Sequence, residues 1–307
     1  MATPFLKLGT RGSPLALAQT RQVCDRIAET AGVAASDIEI VVIRTSGDRI
    51  IDRSLAESGG KGLFTKELDE ALIAGAIDCA VHSAKDLQTF LPAELVIAGC
   101  PPREDARDAL ICSKAASFAT LPIGARLGSA SPRRQAMALR ARPDLTVGLL
   151  RGNVETRLRK VESGEFDLTL LALAGLKRLS LEHRAAAVLE TDEFLPAVGQ
   201  GAIAVTARRD DARLAKALAP IFDAPTGVAL TAERAFLAEL DGSCRTPIGG
   251  HARLTDNRVL FRGATLSLDG RYCVETAREG SVDDAVRLGA EAGRELRARA
   301  PAELLAS

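Results

Sequence analysis

The sequence predicts an α/β fold over about its first two-thirds and a small α+β domain after it. Three observations carry this. Short β-branched runs alternate with amphipathic stretches, the pattern of largely parallel sheets with helical crossovers. The last third changes to helix, two neighbouring strands, helix. Pro101-Pro102 and Asp223-Ala-Pro-Thr-Gly227 read as linkers.

Taken in order, Ser13-Pro14 marks a helix start, because Ser is a good N-cap and Pro suits the first helical position. Ile38-Glu-Ile-Val-Val-Ile-Arg44 reads as a strand and Phe64 to Ala74 as a helix. Asp78-Cys-Ala-Val-His82 and Leu95-Val-Ile-Ala98 are the next strands, and Ser131-Pro132 repeats the helix start. Leu145 to Leu150 and Asp167 to Leu173 are strand-like. Between them, Val154, Leu158 and Val161 keep the i, i+4, i+7 spacing of a helix. The last third opens with a helix from about Gly227, carrying Ala229, Ala232, Phe236 and Leu240 on one stripe. A Gly-rich loop, strands near 258–268 and 271–278, and a helix over Val282 to Arg299 complete the chain. There is no internal sequence repeat.

Composition excludes several classes. The 307 residues hold 40 Lys+Arg and 40 Asp+Glu, with 47% hydrophobic and 26% charged residues. That is room for roughly two domains of about 150 residues each. A zero sum does not fit a surface-wide nucleic-acid footprint or an acidic tail. No apolar run approaches the roughly 18 residues of a membrane span. The start, Met1-Ala-Thr-Pro-Phe-Leu-Lys-Leu8, lacks a signal peptide's apolar region, so a cytoplasmic protein is expected. Six cysteines (24, 79, 100, 112, 244 and 273) and three histidines (82, 183 and 251) fall at no metal-ligand spacing, so no metal site is expected. Cys79, Cys100 and Cys112 sit in apolar stretches and read as buried thiols.

The cations are unevenly placed. Arg supplies 32 of the 40. A GC-rich genome accounts for such a number, but Arg also grips carboxylates with a two-pronged fork. Arg126 to Arg178 holds nine Arg, two Lys and five acids, a local charge of +6. Arg133 and Arg134 fall in the first turn of the helix that Ser131 caps, where the macrodipole disfavours cations. Arg11 lies beside the Ser13-Pro14 cap in the same way. An anion would turn both penalties into attraction; the alternative is that these arginines point into water or pair with a distant acid. One aromatic, Phe166, in the basic segment gives no stacking platform for single-stranded nucleic acid, so small polycarboxylates or phosphates fit better.

Three motif matches fail on context. Gly59-Gly-Lys-Gly62 lacks the Ser or Thr of a phosphate loop, and Ser58-Gly-Gly-Lys61 lacks the partner motifs of Ser-x-x-Lys enzymes. Gly199-Gln-Gly-Ala-Ile-Ala204 leads into a strand and not a helix. Two loops remain. Val81-His-Ser-Ala-Lys-Asp-Leu87 ends an apolar strand and places His82, Ser83, Lys85 and Asp86 where a crevice would open, unless it is an ordinary exposed ion pair. Cys244, in Asp241-Gly-Ser-Cys-Arg-Thr-Pro-Ile-Gly-Gly250, has Arg245 beside it, which favours thiolate. Such a cysteine is incidental, a nucleophile or an attachment point.

Together these residues resemble the porphobilinogen deaminases, or hydroxymethylbilane synthases, along nearly the whole chain. The matching signatures are Gly9-Thr-Arg-Gly-Ser-Pro-Leu-Ala-Leu-Ala-Gln19, Gly59-Gly-Lys-Gly-Leu-Phe-Thr-Lys-Glu-Leu68, His82-Ser-Ala-Lys-Asp86, Ser131-Pro-Arg-Arg-Gln135, Leu150-Arg-Gly-Asn-Val-Glu-Thr-Arg157, Ala174-Gly-Leu-Lys-Arg178, Leu195-Pro-Ala-Val-Gly-Gln-Gly201 and Gly242-Ser-Cys-Arg-Thr-Pro-Ile-Gly249. The last is the most specific. The departures are Ser129-Ala130 for a usual Thr-Ser, Leu87-Gln88-Thr89 for Val-Pro-Thr, and Ser46 where Arg or Lys sometimes occurs.

The resemblance implies two periplasmic-binding-protein-like α/β domains plus a small C-terminal α+β domain. Domain 1 would hold residues 1–101 and 202–221, domain 2 residues 107–195 and domain 3 residues 224–307. It implies a dipyrromethane cofactor joined to Cys244 by a thioether. Four porphobilinogen molecules then add head to tail, each losing ammonia, and water releases hydroxymethylbilane for tetrapyrrole synthesis. Asp86 would stabilise the cation that ammonia loss creates. Lys85, Ser83, Ser129, Ser131, Arg133, Arg134 and Arg157 match cofactor contacts. Arg11, Ser13, Gln19, Arg151 and Arg178 match substrate contacts, with Gln19 and Lys61 on a flexible crevice rim. A monomer with no nucleic-acid or membrane partner is expected. The competing reading is a non-catalytic two-lobed binder of small polycarboxylates.

Overall fold

The structure, a computed structural model, describes residues 4–49, 62–240, 246–301 and 304. In chain order the first elements are β1 (Leu6–Thr10), α1 (Pro14–Ala31), β2 (Ile38–Val42), α2 (Ser46–Arg49), α3 (Lys66–Ile73), β3 (Cys79–Ser83) and β4 (Leu95–Gly99). The middle runs β5 (Asp108–Cys112), β6 (Arg126–Gly128), α4 (Pro132–Ala141), β7 (Thr146–Gly148), α5 (Val154–Glu162), β8 (Leu168–Ala172), α6 (Leu173–Arg178) and β9 (Ala187–Leu189). The rest is β10 (Ile203–Arg208), α7 (Ala212–Leu218), α8 (Ala224–Glu239), β11 (Ile248–Thr255), β12 (Arg258–Leu266), β13 (Cys273–Ser281) and α9 (Ala285–Arg299).

Two compact units result, one holding β1–β4 and β10, the other β5–β9 and β11–β13. In the first unit the strand order is β2-β1-β3-β10-β4. β1 runs parallel to β2 and β3, while β10 runs against β3 and β4. Apolar residues cover both faces, as an α/β sheet requires. Leu6, Leu8 and Val205 pack with Val23 and Ile27 of α1 on one side, and Ala80 and Leu95 pack with Leu68 and Leu72 of α3 on the other.

The second unit repeats the plan without repeating the sequence. Its order is β7-β6-β8-β5-β9, with β6 parallel to β7 and β8 and with β5 running against β8 and β9. Leu127, Leu168 and Leu170 bury against Ala136 and Met137 of α4, and Ile111 and Leu171 bury against Leu158 of α5 and Leu176 of α6. The same unit holds the antiparallel sheet β11-β12-β13, on which α8 and α9 lie; Phe236 and Phe261 meet at 5.0 Å between ring centroids.

Three local expectations change. Among its described residues, the stretch read as a Gly-rich loop runs into a strand, β11, at Ile248. Its glycines mark close packing: a Cβ on Gly249 would stand 3.1 Å from the Leu195 carbonyl oxygen, and one on Gly250 2.9 Å from Val198. Residues 223–227 do lie where the chain passes from one unit to the other, but 224–227 are helical, the first turn of α8, with Asp223 accepting from Thr226 N at 2.8 Å and Oγ1 at 2.6 Å. Cys112 is half-buried at the end of β5, whereas Cys79 and Cys100 are buried as expected. Burial, and then Asp78, pushes the Cys79 thiol up to about 12.

Candidate active site

In the first unit the side chains of interest lie at the carboxyl ends of β1 and β3, which are sheet neighbours. α/β folds bind ligands at such edges. β1 ends at Thr10, and Arg11 leads to Ser13, whose Oγ accepts from Ala16 N at 3.2 Å and caps α1. β3 ends at Ser83, and a single 3₁₀ turn then carries Lys85 and Asp86. Arg11 Nη1 stands 3.8 Å from Asp86 Oδ2, and the guanidinium lies 4.1 Å above the Phe64 ring. The Asp86 side chain is 33% exposed, and its oxygens accept no hydrogen bond among the described residues. They are available to N–H groups of a ligand.

The neighbours of Asp86 are committed elsewhere. His82 is buried, its Nε2 is 3.0 Å from Thr206 Oγ1, and burial, then the Arg11 charge, pushes it down to about 4. It is a neutral cross-strand tie between β3 and β10 at neutral pH. Gln19 donates to Ser83 Oγ at 2.9 Å and receives from it at 3.1 Å. At 2% exposure on α1, Gln19 is buried and not on a flexible rim. Side-chain exchange with Ser83 explains the difference. Gln88 donates to Thr65 Oγ1 at 3.0 Å and to Asp69 Oδ2 at 3.3 Å, tying the Asp86 loop to the start of α3. Burial pushes Asp69 up to about 6.

In the second unit the parallel strands β6, β7 and β8 end on one edge and lead into Ser129, Arg151 and the helix bearing Arg178. Ser129 Oγ accepts from Ser131 N at 3.1 Å, and Ser131 Oγ caps α4 by accepting from Arg134 N at 3.4 Å. Asn153 caps α5 through Thr156 N, and Arg157 Nε donates to Gly152 O at 2.9 Å. Arg178 Nη2 donates to Gly201 O at 2.8 Å. Arg151, Arg157 and Arg178 are half-buried.

Arg133 and Arg134 are only 4% and 6% exposed, and they converge on Asp108, a residue sequence reasoning missed. Arg133 Nη2 donates to Oδ2 at 2.8 Å; Arg134 donates to Oδ1 through Nε at 3.0 Å and Nη2 at 2.7 Å. This is the distant-acid alternative, realised across 25 and 26 residues of chain. The only signal in the sequence was an acid opening the apolar run Asp108-Ala-Leu-Ile-Cys112. Cys244 and Lys61 lie outside the described residues. Among the described residues no cluster could hold a metal ion, and no helix is long and apolar enough to cross a membrane.

The donor set suits a polycarboxylate. Three half-buried arginines share an edge with a buried cluster of two guanidinium groups and one carboxylate, and Arg133 Nε is buried with no acceptor. Two five-stranded α/β sheets and a small antiparallel sheet with its helices, with a carboxylate at the strand ends of the first unit and arginines at those of the second, define a mixed α/β protein with charged side chains at its strand ends. Comparison with known proteins narrows this. The family model "Porphobilinogen deaminase, dipyromethane cofactor binding domain" matches residues 6–216, and "Porphobilinogen deaminase, C-terminal domain" matches residues 228–298. A porphobilinogen deaminase of Nitrobacter hamburgensis is 61% identical over 95% of this chain and 93% of its own. The chloroplastic one of Pisum sativum is 50% identical over 97% and 82%. Among solved structures, a periplasmic substrate-binding protein of an ABC transporter from Coxiella burnetii is 15% identical, with a TM-score of 0.44 over 75% of this chain and 97% of that one. The chain belongs to the porphobilinogen deaminase family.

Proposed function

We propose that this chain is a hydroxymethylbilane synthase, joining four porphobilinogen molecules head to tail with loss of one ammonia at each addition. The observation that carries the reading is Asp86, a carboxylate held at a strand end 3.8 Å from Arg11, whose oxygens accept no hydrogen bond among the described residues. When bound, the dipyrromethane supplies the free pyrrole α-carbon to which the first unit is joined. In each cycle the C–N bond of the aminomethyl group breaks, ammonia leaves with the bonding pair, and a methylene-pyrrolenine cation remains. Asp86 stabilises that cation and accepts from pyrrole N–H groups. A charge pair at about 4 Å in a partly screened site is worth roughly 4 kcal/mol. The new C–C bond forms at the methylene carbon, and the proton displaced from the pyrrole α-carbon passes out by way of Asp86. Hydrolysis then frees the linear product.

Acetate and propionate groups make the substrate chain a polyanion, which suits Arg11, Arg151 and Arg178. Arg133, Arg134 and Arg157, with Lys85, serve the cofactor. Ser13 and Ser131 act through the helix starts they cap, Ser129 through Ser131, and Ser83 and Gln19 through each other. The division into domain 1 (1–101 with 202–221), domain 2 (107–195) and domain 3 (224–307) is supported by the three sheets. A cytoplasmic monomer completes the proposal and rests on the resemblance.

Intact-protein mass spectrometry tests the cofactor link. The purified chain should exceed its 32.3 kDa polypeptide by one dipyrromethane, and Cys244→Ser should lose that excess. An active protein of unmodified mass overturns the proposal. A polycarboxylate binder would carry no such adduct and release no product.

A further inference from the structure

We infer that Asp108 is a positioning residue for cofactor carboxylates: it locks Arg133 and Arg134 into one fixed orientation, and Gln200 sets Asp108 in turn. The inference rests on the reading that these two arginines hold the dipyrromethane.

Topology explains how an acid comes to stand there. β5 runs against its neighbour β8, so Asp108 at its start is level with Ala172 at the carboxyl end of β8. The first turn of α4 brings both arginines to the same edge. Asp108 is fully buried, and besides the two guanidinium groups it accepts from Gln200 Nε2 at 3.1 Å. Gln200 is itself fully buried and also donates to Ala106 O at 2.7 Å. Arg133 Nη1 donates to Leu195 O at 2.8 Å. Each guanidinium is therefore fixed by more than one bond, in the geometry that makes Arg forks directional.

Charge and unspent donors show what the cluster is for. Two guanidinium groups against one carboxylate leave a buried excess of +1, in the first turn of α4 where the macrodipole adds to it. Arg133 Nε is buried without an acceptor, and Arg134 Nη1 donates to no described residue. A buried cation excess with unspent donors is completed by one ligand carboxylate. Asp108 takes one side of the pair and leaves the other to the ligand. Long arginine side chains would otherwise give up rotamer freedom at the moment of binding, so fixing them beforehand raises affinity with no added contact. A neutral residue at 108 would remove the carboxylate that both forks share and leave a buried excess of +2.

The experiment compares full-length Asp108→Asn, Asp108→Glu, Gln200→Leu and Arg134→Gln with the unaltered chain. Read for each are the cofactor-loaded fraction by intact mass, as purified and during incubation with porphobilinogen, the thermal melt, and the KM of the loaded fraction. Asp108→Asn is expected to load about ten-fold more slowly or worse, the scale of a lost charge-assisted hydrogen bond. Its loaded fraction should keep an unaltered KM for porphobilinogen, because the substrate arginines are untouched; general damage to the fold would raise KM as well. Asp108→Glu, which keeps both oxygens, should recover part of the loading. Normal loading of Asp108→Asn beside defective loading of Arg134→Gln overturns the positioning role alone. Normal loading of both overturns the reading beneath it. If Asp108→Asn is recovered unfolded, Gln200→Leu decides: loading several-fold below the unaltered chain supports the inference, and equal loading sinks it.

Discussion

Arg11 and Asp86 face each other at 3.8 Å from the ends of neighbouring parallel strands, too far apart to share a hydrogen bond. The carboxylate is carried on the 3₁₀ turn that follows β3, and among the described residues its oxygens accept no hydrogen bond. Asp86→Asn keeps that shape and removes the charge. Turnover should fall by about a thousand-fold, the equivalent of roughly 4 kcal/mol in the barrier, while porphobilinogen binding and the melt change little. Product release by stopped-flow and binding by calorimetry separate the two; release at the unaltered rate would remove Asp86 from the chemistry.

His82 gives a pH signature. Its folded value, about 4, lies below the ordinary 6.5 because burial, and then Arg11, disfavours the charged ring. Above pH 6.5 the imidazole is neutral in both states and its full contribution is present. As pH falls from 6.5 towards 4 the unfolded chain takes up the proton first, so stability is lost, by about 3 kcal/mol in all. Urea melts between pH 7.5 and pH 4 should show His82→Gln losing less over that window than the unaltered chain. Equal slopes would mean that His82 does not titrate low.

Gly152 joins Arg151 to the α5 cap with φ of 116°, and a Cβ there would lie 2.8 Å from Thr156 Cγ2. An L side chain is strained in that region of backbone space whatever its neighbours do. Gly152→Ala should cost about 1–3 kcal/mol, lower the melting temperature and weaken substrate binding through Arg151. A melt and KM matching the unaltered chain would show that this turn tolerates a Cβ.

Much of the candidate site was legible because its signals are local. Ser13-Pro14 and Ser131-Pro132 mark helix starts by capping chemistry alone, and the structure places α1 and α4 at those positions. The family signatures likewise sit in short windows. Partnership was not legible. Gln19 and Ser83 are 64 residues apart, and nothing near either says that each satisfies the other. Glycines in β11 looked like loop residues because the close approach that requires them comes from Leu195 and Val198, distant in the chain.

The sequence by itself determined the alternation of strand and helix, the family, the basic segment and the identity of the residues proposed for chemistry. Only the tertiary structure decided which charges are already spent. Arg133 and Arg134 read as forks waiting for an anion, yet each has a buried acid at its tip, and the acid's third partner, Gln200, lies 92 residues further on. Periodicity and capping act over a few bonds and leave a mark in the local pattern. A buried ion pair is fixed by desolvation and by whichever donors the sheet order brings to one edge, and neither leaves a trace within a short window of sequence.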